Sequence, residues 1–371
     1  MLLSAFLLST TLAAGPGGVT VTTGDFDGNG SADLLIVGNR KRNVVDVADL
    51  SGSSMVRVRW DGDADGQIGI ADPSIDFAGP IETVEIRLGS GNDVLTIEPD
   101  NPDMLADGAR RFFEIDLGAG KDSLVVDAAP IGITGTSLLR FDVNGGSGRD
   151  ELELDLDCAI SEGSVELGVD AGGGRDLVLL RLPYFLHDGA QFSIDADLGD
   201  GDDEFHSILA GLDTDSAAHI RCDIDGGDGD DGILLQPSEN VVSRVLNGSL
   251  EFDARGGSGD DLISFNVATP NAIDFPQLAT ARLRARLDGG ADEDFVNFAC
   301  ANSSVDEPVY DVQVNGGSGD DSLLANIANP NATGNDADNY GVAGSVLLIG
   351  GPGHDEAVTM GNGRYRSIAV P

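Results

Sequence analysis

A short glycine-rich segment that ends in aspartate recurs along most of this chain and constrains its fold more than any other feature. Counted between final aspartates, the spacing runs from 26 residues (Asp150 to Asp176) to 34 residues (Asp321 to Asp355). Self-similarity at a period of about 29 residues is typical of repeat architectures, in which each unit packs on its neighbours. The ten segments are LGSGND ending at Asp93, LGAGKD at Asp122, GGSGRD at Asp150, AGGGRD at Asp176, LGDGDD at Asp203, GGDGDD at Asp231, GGSGDD at Asp261, GGADED at Asp294, GGSGDD at Asp321 and GGPGHD at Asp355.

Apolar residues alternate with polar ones on both sides of each glycine–acid turn. Leu152 and Leu154 stand two and four residues after Asp150, and Val165 and Leu167 form the same pattern before the next turn. A period of two predicts β-strands with one buried face. A flat meander of such strands would leave that face uncovered, whereas coiling them encloses one continuous core. We therefore predict an all-β fold, a parallel β-solenoid of about 11–12 coils with one glycine–Asp turn per coil.

The three cysteines fall on the inward-facing positions of this pattern. Cys158, Cys222 and Cys300 are too few and too scattered for a disulfide framework or a zinc site. We interpret them as small core residues.

Four segments differ in composition. Residues 1–14, MLLSAFLLSTTLAA, form a short apolar stretch that ends in small residues, which predicts a signal peptide and a secreted or cell-surface protein. Residues 17–82 are interpreted as less regular coils, since Asp33 lies two periods before Asp93 and Val56 and Val58 suit a coil between them. Residues 83–360 carry the regular repeats, and residues 361–371 are interpreted as a C-terminal cap.

The chain is strongly acidic. Asp and Glu total 64 against 21 Lys and Arg, a formal net charge of −43, while the apolar fraction of 41% is too high for a disordered acidic tail. Such a surface repels nucleic acids and anionic membranes, so we expect neither as a partner and expect cations instead. The sharp turns explain the glycines, but they do not explain the aspartates. Stacked turns bring carboxylates within about 5 Å of one another, which favours a hard divalent cation between them.

At these turns the sequence resembles the calcium-binding repeats of the repeats-in-toxin, or hemolysin-type, family, whose repeat reads G-G-x-G-x-D-x-U-x. The resemblance covers residues 83–360. It implies calcium ions shared between the turns of neighbouring coils, where they stabilise the fold. The ligands it implies are Asp93, Asp122, Asp150, Asp176, Asp203, Asp231, Asp261, Asp294, Asp321 and Asp355.

The chain also departs from that family. The family repeats every nine residues, whereas here one turn occurs per coil of about 29 residues, so only one edge of the solenoid would hold calcium. Lys121, Arg149 and Arg175 stand beside a ligand aspartate, where their charges would replace a cation. Asp292 replaces a glycine in the segment that ends at Asp294. Further carboxylates near the expected sites belong to Asp202, Asp230, Asp260, Asp320, Asp197 and Asp225.

Two acidic loops nearer the N-terminus predict calcium sites of another kind. The first acidic loop, residues 25–33, reads DFDGNGSAD, and the second acidic loop, residues 61–72, begins DGDADGQI. Both follow the first half of an EF-hand loop, but Ile36 and Asp72 stand where the closing Glu would be. Nearby Gly and Pro argue against flanking helices, and the first loop resembles those of integrin-type repeats. The candidate ligands are Asp25, Asp27, Asn29 and Asp33, and Asp61, Asp63 and Asp65.

These features favour an exported calcium-binding structural or cell-surface protein without catalysis. One alternative is a calcium-dependent carbohydrate-active enzyme, similar to a polysaccharide lyase, although aromatic residues, which stack on sugars, are only 5% of the chain. Another is an adhesin or matrix protein that binds a partner through its variable turns, of which the longest are 268–280 and 328–344. Candidate catalytic bases for the enzyme are Arg140, Arg181, Arg221, Arg282, Arg284 and Arg286.

Other catalytic and cofactor motifs find no support. Residues 227–232, GDGDDG, fit the dinucleotide-binding pattern G-x-G-x-x-G, but three aspartates would repel a pyrophosphate and no helix pattern follows. The four histidines share no ligand spacing, and no nucleophile elbow or H-E-x-x-H motif occurs.

Overall fold

The structure is a computed structural model. It describes residues 10–14, 18–50, 55–79, 81–99, 105, 108–128, 132–183, 185–209, 213–214, 218–237, 245–246, 248–266, 277–278, 282–301, 309–328, 343–361 and 365–368. Within these ranges the regular secondary structure is entirely β, and no helix long and apolar enough to cross a membrane occurs among them. The two long variable turns lie mostly outside the described residues.

Two long sheets of 14 and 13 strands form the body of the molecule, and each coil adds one strand to each of them. In spatial order, the first sheet contains β1 (Thr10–Ala14), β2 (Thr20–Gly24), β3 (Ala32–Val37), β7 (Ile81–Arg87), β9 (Arg110–Asp116), β13 (Leu138–Asn144), β17 (Ser164–Asp170), β21 (Gln191–Asp197), β24 (His219–Asp228), β27 (Ser249–Ser258), β30 (Arg282–Ala291), β32 (Val309–Ser318), β34 (Ala343–Ile349) and β36 (Tyr365–Ile368). The second contains β35 (Glu356–Gly361), β33 (Ser322–Ala328), β31 (Phe295–Ala301), β28 (Leu262–Asn266), β25 (Gly232–Pro237), β22 (Glu204–Leu209), β19 (Leu177–Arg181), β15 (Glu151–Asp155), β11 (Ser123–Asp127), β8 (Val94–Pro99), β4 (Val44–Leu50), β5 (Met55–Trp60) and β6 (Ser74–Ala78).

Three small sheets lie where the coils turn. One of them is formed by the glycine–acid turns themselves, which pair in parallel from coil to coil. Its strands are β10 (Ala119–Gly120), β14 (Ser147–Gly148) and β18 (Gly173–Gly174). The others contain β12 (Gly132–Thr134), β16 (Ala159–Ser161), β20 (Phe185–His187) and β23 (Asp213–Thr214), and β26 (Val245–Leu246) and β29 (Gln277–Leu278).

Parallel pairing in register stacks like residues above one another. Leu124 pairs with Leu152, which in turn pairs with Val178, and all three side chains are at most 1% exposed. The buried apolar residues form one continuous cluster along the coils. Such burial contributes roughly 25 cal/mol per Å² of apolar surface. The prediction of a parallel all-β solenoid is confirmed, and so is the core placement of the cysteines, which are free and at most 1% exposed.

The N-terminal end is built differently from the regular coils. Only β3 and β4 join the parallel sheets there, whereas β1 and β2, and β5 and β6, are added antiparallel at the sheet edges. Val56 and Val58, predicted to belong to a coil, lie in β5 and pair antiparallel with β4. Short antiparallel strands at this end cover the exposed edge of a parallel solenoid. Two predicted segments contain strands, since β1 lies within residues 1–14 and β36 within residues 361–371.

Candidate metal centres

Eight of the ten turns reverse the backbone at two glycines with a positive φ angle. In the turn that ends at Asp203, Gly199 and Gly201 have φ angles of 92° and 149°. A Cβ atom on Gly201 would lie 1.3 Å from the carbonyl oxygen of Gly174 in the preceding coil. Glycine is therefore required for both the turn and the close stacking of coils. Asp292 takes such a position in its own coil, with φ 81°, which is strained for a residue with a side chain.

The ten final aspartates of the turns form one continuous hydrogen-bonded row, here called the aspartate ladder. The Oδ1 atom of Asp231 accepts a hydrogen bond from the backbone N–H of Asp203 at 2.8 Å, and the N–H of Asp231 donates to Asp261 at 2.8 Å. The same bond joins every consecutive pair from Asp93 to Asp355, at 2.6–3.2 Å. The aspartate therefore has a structural role, because each carboxylate fastens its coil to the preceding one. Nine members are at most 3% exposed: Asp93, Asp122, Asp150, Asp176, Asp203, Asp231, Asp261, Asp294 and Asp321.

The second carboxylate oxygen of the ladder members, Oδ2, is buried without a hydrogen-bond partner. In the later coils it lies against the first glycine of its own turn. A Cβ atom on Gly256 would lie 2.1 Å from Oδ2 of Asp261 and 2.3 Å from the carbonyl oxygen of Gly289 in the next coil. The two oxygens thus border the same small space. A proton on Oδ2 or a cation in this space would compensate the carboxylate.

Burial raises the pKa of the ladder carboxyls, because it disfavours their charged form. Carboxylates of adjacent turns raise several of them further, and the backbone N–H donors offset part of the effect. The pKa is also raised for Asp93, Asp176 and Asp321. It reaches about 6 for Asp122 and Asp231, and about 7 for Asp150, Asp203, Asp261 and Asp294.

The ladder begins at a residue that the repeat pattern does not single out. Asn43 occupies the position before Asp93, and both its backbone N–H and its side-chain amide donate to Oδ1 of Asp93, at 2.5 and 2.9 Å. The side-chain amide also donates to the carbonyl oxygen of Leu88 at 3.2 Å. An uncharged amide thus replaces a carboxylate at the first position. Its sequence signal is weak: Val45 and Val47 follow at the same spacing as the apolar residues after each turn aspartate.

The additional carboxylates predicted near the turns lie on the outside of the ladder. Asp202, Asp230 and Asp260 are exposed and form a second row. In this row the Oδ1 atom of each aspartate accepts a backbone N–H from the following coil. The N–H of Asp230 donates to Asp202 at 3.4 Å, and the N–H of Asp260 donates to Asp230 at 2.9 Å. Asp320 likewise accepts from the N–H of His354 at 2.9 Å. Asp197 and Asp225 lie further away, paired on the outer face of the first sheet.

The first acidic loop connects β2 to β3 and brings three carboxylates together. Oxygen atoms of Asp25, Asp27 and Asp33 lie within 4.8 Å of one another. The N–H groups of Gly28 and Gly30 donate to the two oxygens of Asp25, at 2.7 and 3.1 Å, and so hold the loop in shape. This convergence is what an oxygen-ligated cation requires.

Asp33 is the buried member of this group, with 2% exposure. Its Oδ2 accepts the N–H of Phe26 at 2.8 Å, while its Oδ1 is buried without a hydrogen-bond partner. Burial raises the pKa of Asp33 and the charge of Asp27 adds to this, whereas the Phe26 N–H and the nearby Thr83 hydroxyl partly offset it. One carboxylate oxygen of the loop is therefore buried without a hydrogen bond of ordinary geometry.

The second acidic loop connects β5 to β6, and oxygens of Asp61, Asp63 and Asp65 also lie within 4.8 Å of one another. Both oxygens of Asp61 accept backbone N–H groups, from Ala64 and Gly66, each at 2.7 Å. Although burial opposes it, these bonds hold the pKa of Asp61 below its usual range. The carboxylate is thus stabilised in its charged form without a cation.

Asp72, which the sequence analysis noted only as the absence of a closing Glu, closes the second loop. It accepts the N–H of Gly62 at 3.0 Å and that of Gly69 at 2.5 Å. Asp33 does the same in the first loop, where it accepts the N–H of Phe26. In both loops, therefore, an aspartate at the end of the loop accepts a hydrogen bond from the backbone N–H of the second loop residue, although the number of residues between the two differs.

Among the described residues, these two loops are the places where three candidate metal-binding side chains converge. The turn aspartates are instead arranged singly, one per coil, so calcium binding by the turns stays a prediction. The arginines considered as catalytic bases lie on the outer strand faces. Their partners include Asp142 for Arg140 at 2.8 Å, Asp155 for Arg181 at 3.1 Å, Asp223 for Arg221 at 3.2 Å and Glu251 for Arg284 at 3.7 Å.

The geometry defines a class of protein, an acidic parallel β-solenoid whose Asp-rich turns and loops are suited to metal ions. No protein-family model matches the chain, and searches of curated proteins and of solved structures find no match to it.

Proposed function

We propose that this protein is an exported, calcium-binding structural or cell-surface solenoid. The observation that carries the proposal is the convergence of Asp25, Asp27 and Asp33 within 4.8 Å, with one oxygen of Asp33 buried without a hydrogen bond of ordinary geometry. Ca²⁺ suits such a site because it takes six to eight oxygen ligands in flexible geometry. Mg²⁺ demands a near-ideal octahedron, and zinc prefers nitrogen and sulfur ligands, which neither acidic loop contributes.

The aspartate ladder supplies a second, separate set of candidate calcium sites. Its buried Oδ2 atoms and the neighbouring glycine carbonyls supply oxygen ligands, as the hemolysin-type resemblance implies. The same oxygens would be satisfied by protons, so calcium and protons compete for the ladder. The second acidic loop does not depend on this competition in the same way, because the Asp61 carboxylate is stabilised as an anion.

A structural role is favoured over a catalytic one by the charge of the outer surface. An open groove of about 520 Å³ on the first sheet would repel a negatively charged uronate polymer, the substrate class of the alternative enzyme. The carboxylates that line it belong to Glu85, Glu114, Asp116, Asp142, Asp170, Asp195 and Asp197.

Export agrees with calcium sites of this kind. Extracellular modules bind calcium with dissociation constants of about 10⁻⁴–10⁻³ M. The apolar segment 1–14 supplies the expected signal.

Calcium is expected to raise the thermal unfolding midpoint of the intact chain, whereas magnesium at matched ionic strength is expected to have little effect. A ligand at 100 times its dissociation constant stabilises the folded state by about 2.7 kcal/mol. Circular dichroism with EDTA and then metal add-back measures this. Asp27→Asn should reduce the rise, while Glu153→Gln, which removes the same charge from an exposed strand position, should not. Equal and weak effects of the two metals would contradict the proposal.

A further inference from the structure

The strand next to the first acidic loop contains an irregularity that faces it. β3 and β7 pair in parallel, but Ala32 pairs with Ile81 whereas Asp33 pairs with Thr83. Glu82 is therefore an extra residue on β7 with no partner on β3, which is a β-bulge. Bulges redirect a side chain and are frequent next to functional sites.

The Glu82 carboxylate reaches the loop. The side-chain amide of Asn29 donates to Oδ2 of Asp27 at 2.7 Å and to Oε2 of Glu82 at 3.3 Å. The positive end of an amide dipole thus stands between two carboxylates that are far apart in sequence. A cation is favoured by the same electrostatic field, and far more strongly, because it carries a full charge.

Three carboxylates, those of Asp25, Asp27 and Asp33, lie within 4.8 Å of one another in the loop, and Glu82 of β7 is linked to them through Asn29. We propose that Glu82 is a further ligand of the cation at this loop, so that the bound ion joins the N-terminal hairpin to the first regular coil. This inference rests on the proposed calcium binding. It adds to that function a residue outside the loop motif and a mechanical consequence.

The consequence concerns the end of the solenoid. The hairpin of β2 and β3 is the part of the first sheet that covers the edge of β7. An ion held by both the loop and Glu82 opposes separation of these strands, because opening would break ligand bonds on one side. In the second acidic loop, between β5 and β6, the carboxylates of Asp61 and Asp72 accept hydrogen bonds from within the loop, and the contact with β4 is a backbone one, from the N–H of Asp61 to the carbonyl oxygen of Val44.

The test is a calcium titration of the full chain by calorimetry, comparing the natural protein with Glu82→Gln. We expect the affinity of the first loop to fall about tenfold, with the apo protein unfolding at an unchanged temperature. Glu85→Gln, three residues further on the same strand, is the matched control and should bind as the natural protein does. Terbium luminescence sensitised by the only tryptophan, Trp60, which directly precedes Asp61, reports the second loop and should not change.

Hydrogen exchange supplies a second readout. Calcium should protect the β2 and β3 amides in the natural chain and protect them less in Glu82→Gln. If that variant does not fold, Glu82→Asp, which keeps the charge but shortens the reach, should weaken binding several-fold. If Asp33→Asn weakens calcium binding but Glu82→Gln leaves the affinity within twofold of the natural value, the inference about Glu82 is overturned and the proposed function stands. No calcium binding by the natural chain would instead sink the proposed function.

Discussion

The calcium-free protein is expected to lose stability as the pH rises from 5 to 8. The ladder carboxyls have folded-state pKa values of about 6 to 7 at six positions, above the unfolded value near 3.8. Between these values the folded chain binds more protons than the unfolded chain, so the stabilisation is complete below the unfolded pKa and disappears as the pH passes the folded pKa. One pKa unit corresponds to about 1.4 kcal/mol, so several carboxyls together should change the unfolding free energy by several kcal/mol. Urea unfolding in EDTA at four pH values measures it.

Repulsion across the acidic surface acts in the same direction and must be separated from the ladder. Exposed charges are screened at high ionic strength, with a Debye length of about 3 Å at 1 M salt, whereas buried carboxyls are screened much less. The pH dependence should therefore persist in 1 M NaCl. Asp261 and Asp260 are a matched pair, adjacent in sequence but one buried and one exposed. Asp261→Asn should reduce the pH dependence more than Asp260→Asn, whose lost charge acts only indirectly by raising the pKa of Asp294 less. An unfolding free energy that does not change with pH in 1 M NaCl would show that the ladder does not titrate.

The same pair of variants decides whether the turns bind calcium. If the ladder shares calcium, Asp261→Asn should reduce the calcium-induced rise in unfolding temperature at pH 8. At pH 5 protons occupy the same oxygens, so the contribution of the ladder to the calcium-induced rise should be smaller. Circular dichroism at the two pH values measures the difference. A calcium-induced rise at pH 8 that is the same in Asp261→Asn and the natural chain would confine calcium to the acidic loops.

The solenoid could be predicted from the sequence because its determinants are local. Period-two burial follows directly from strand geometry, so the inward positions of Cys158 and Cys222 could be assigned without knowing the fold in detail. The direction of strand pairing could not be predicted in this way. Parallel and antiparallel strands have the same period, and the antiparallel β5 therefore resembled another coil.

The role of the turn aspartates was harder to predict than their position. Period and composition do not reveal on which side of a turn a side chain lies. Like-charge repulsion was expected of stacked carboxylates, but each ladder oxygen Oδ1 is compensated by an N–H group one coil away. Glu82 escaped notice for a related reason, since a one-residue shift in register between β3 and β7 leaves no trace in either strand alone.

Replacing Gly174 by alanine is expected to unfold the coils around it, whereas replacing Gly173 is expected to change little. Gly174 has φ 145°, and a Cβ atom on it would lie 1.3 Å from the carbonyl oxygen of Gly148. Strain and overlap with the backbone of the preceding coil act together, so we expect a loss of more than about 4 kcal/mol. Gly173 lacks a positive φ, and its Cβ would meet nothing closer than 4.0 Å. Ala119 occupies the same position in another coil.

The two variants replace neighbouring glycines by the same residue, so the change in intrinsic strand propensity is the same in both. A difference in their stability therefore reports the local backbone geometry. Because a repeat protein gains stability from each coil and from its contact with the next, damage at Gly174 should spread to the adjoining coils first. Hydrogen exchange of β15, β19 and β22 should show it, with distant coils protected. Asp292→Gly is the complementary change, since it removes the strained φ of 81° and should stabilise by roughly 1 kcal/mol. Equal destabilisation by the Gly173 and Gly174 substitutions would mean that the coils can separate to admit a side chain. The glycines would then serve the turn alone, and the close stacking of carbonyls would not limit the sequence.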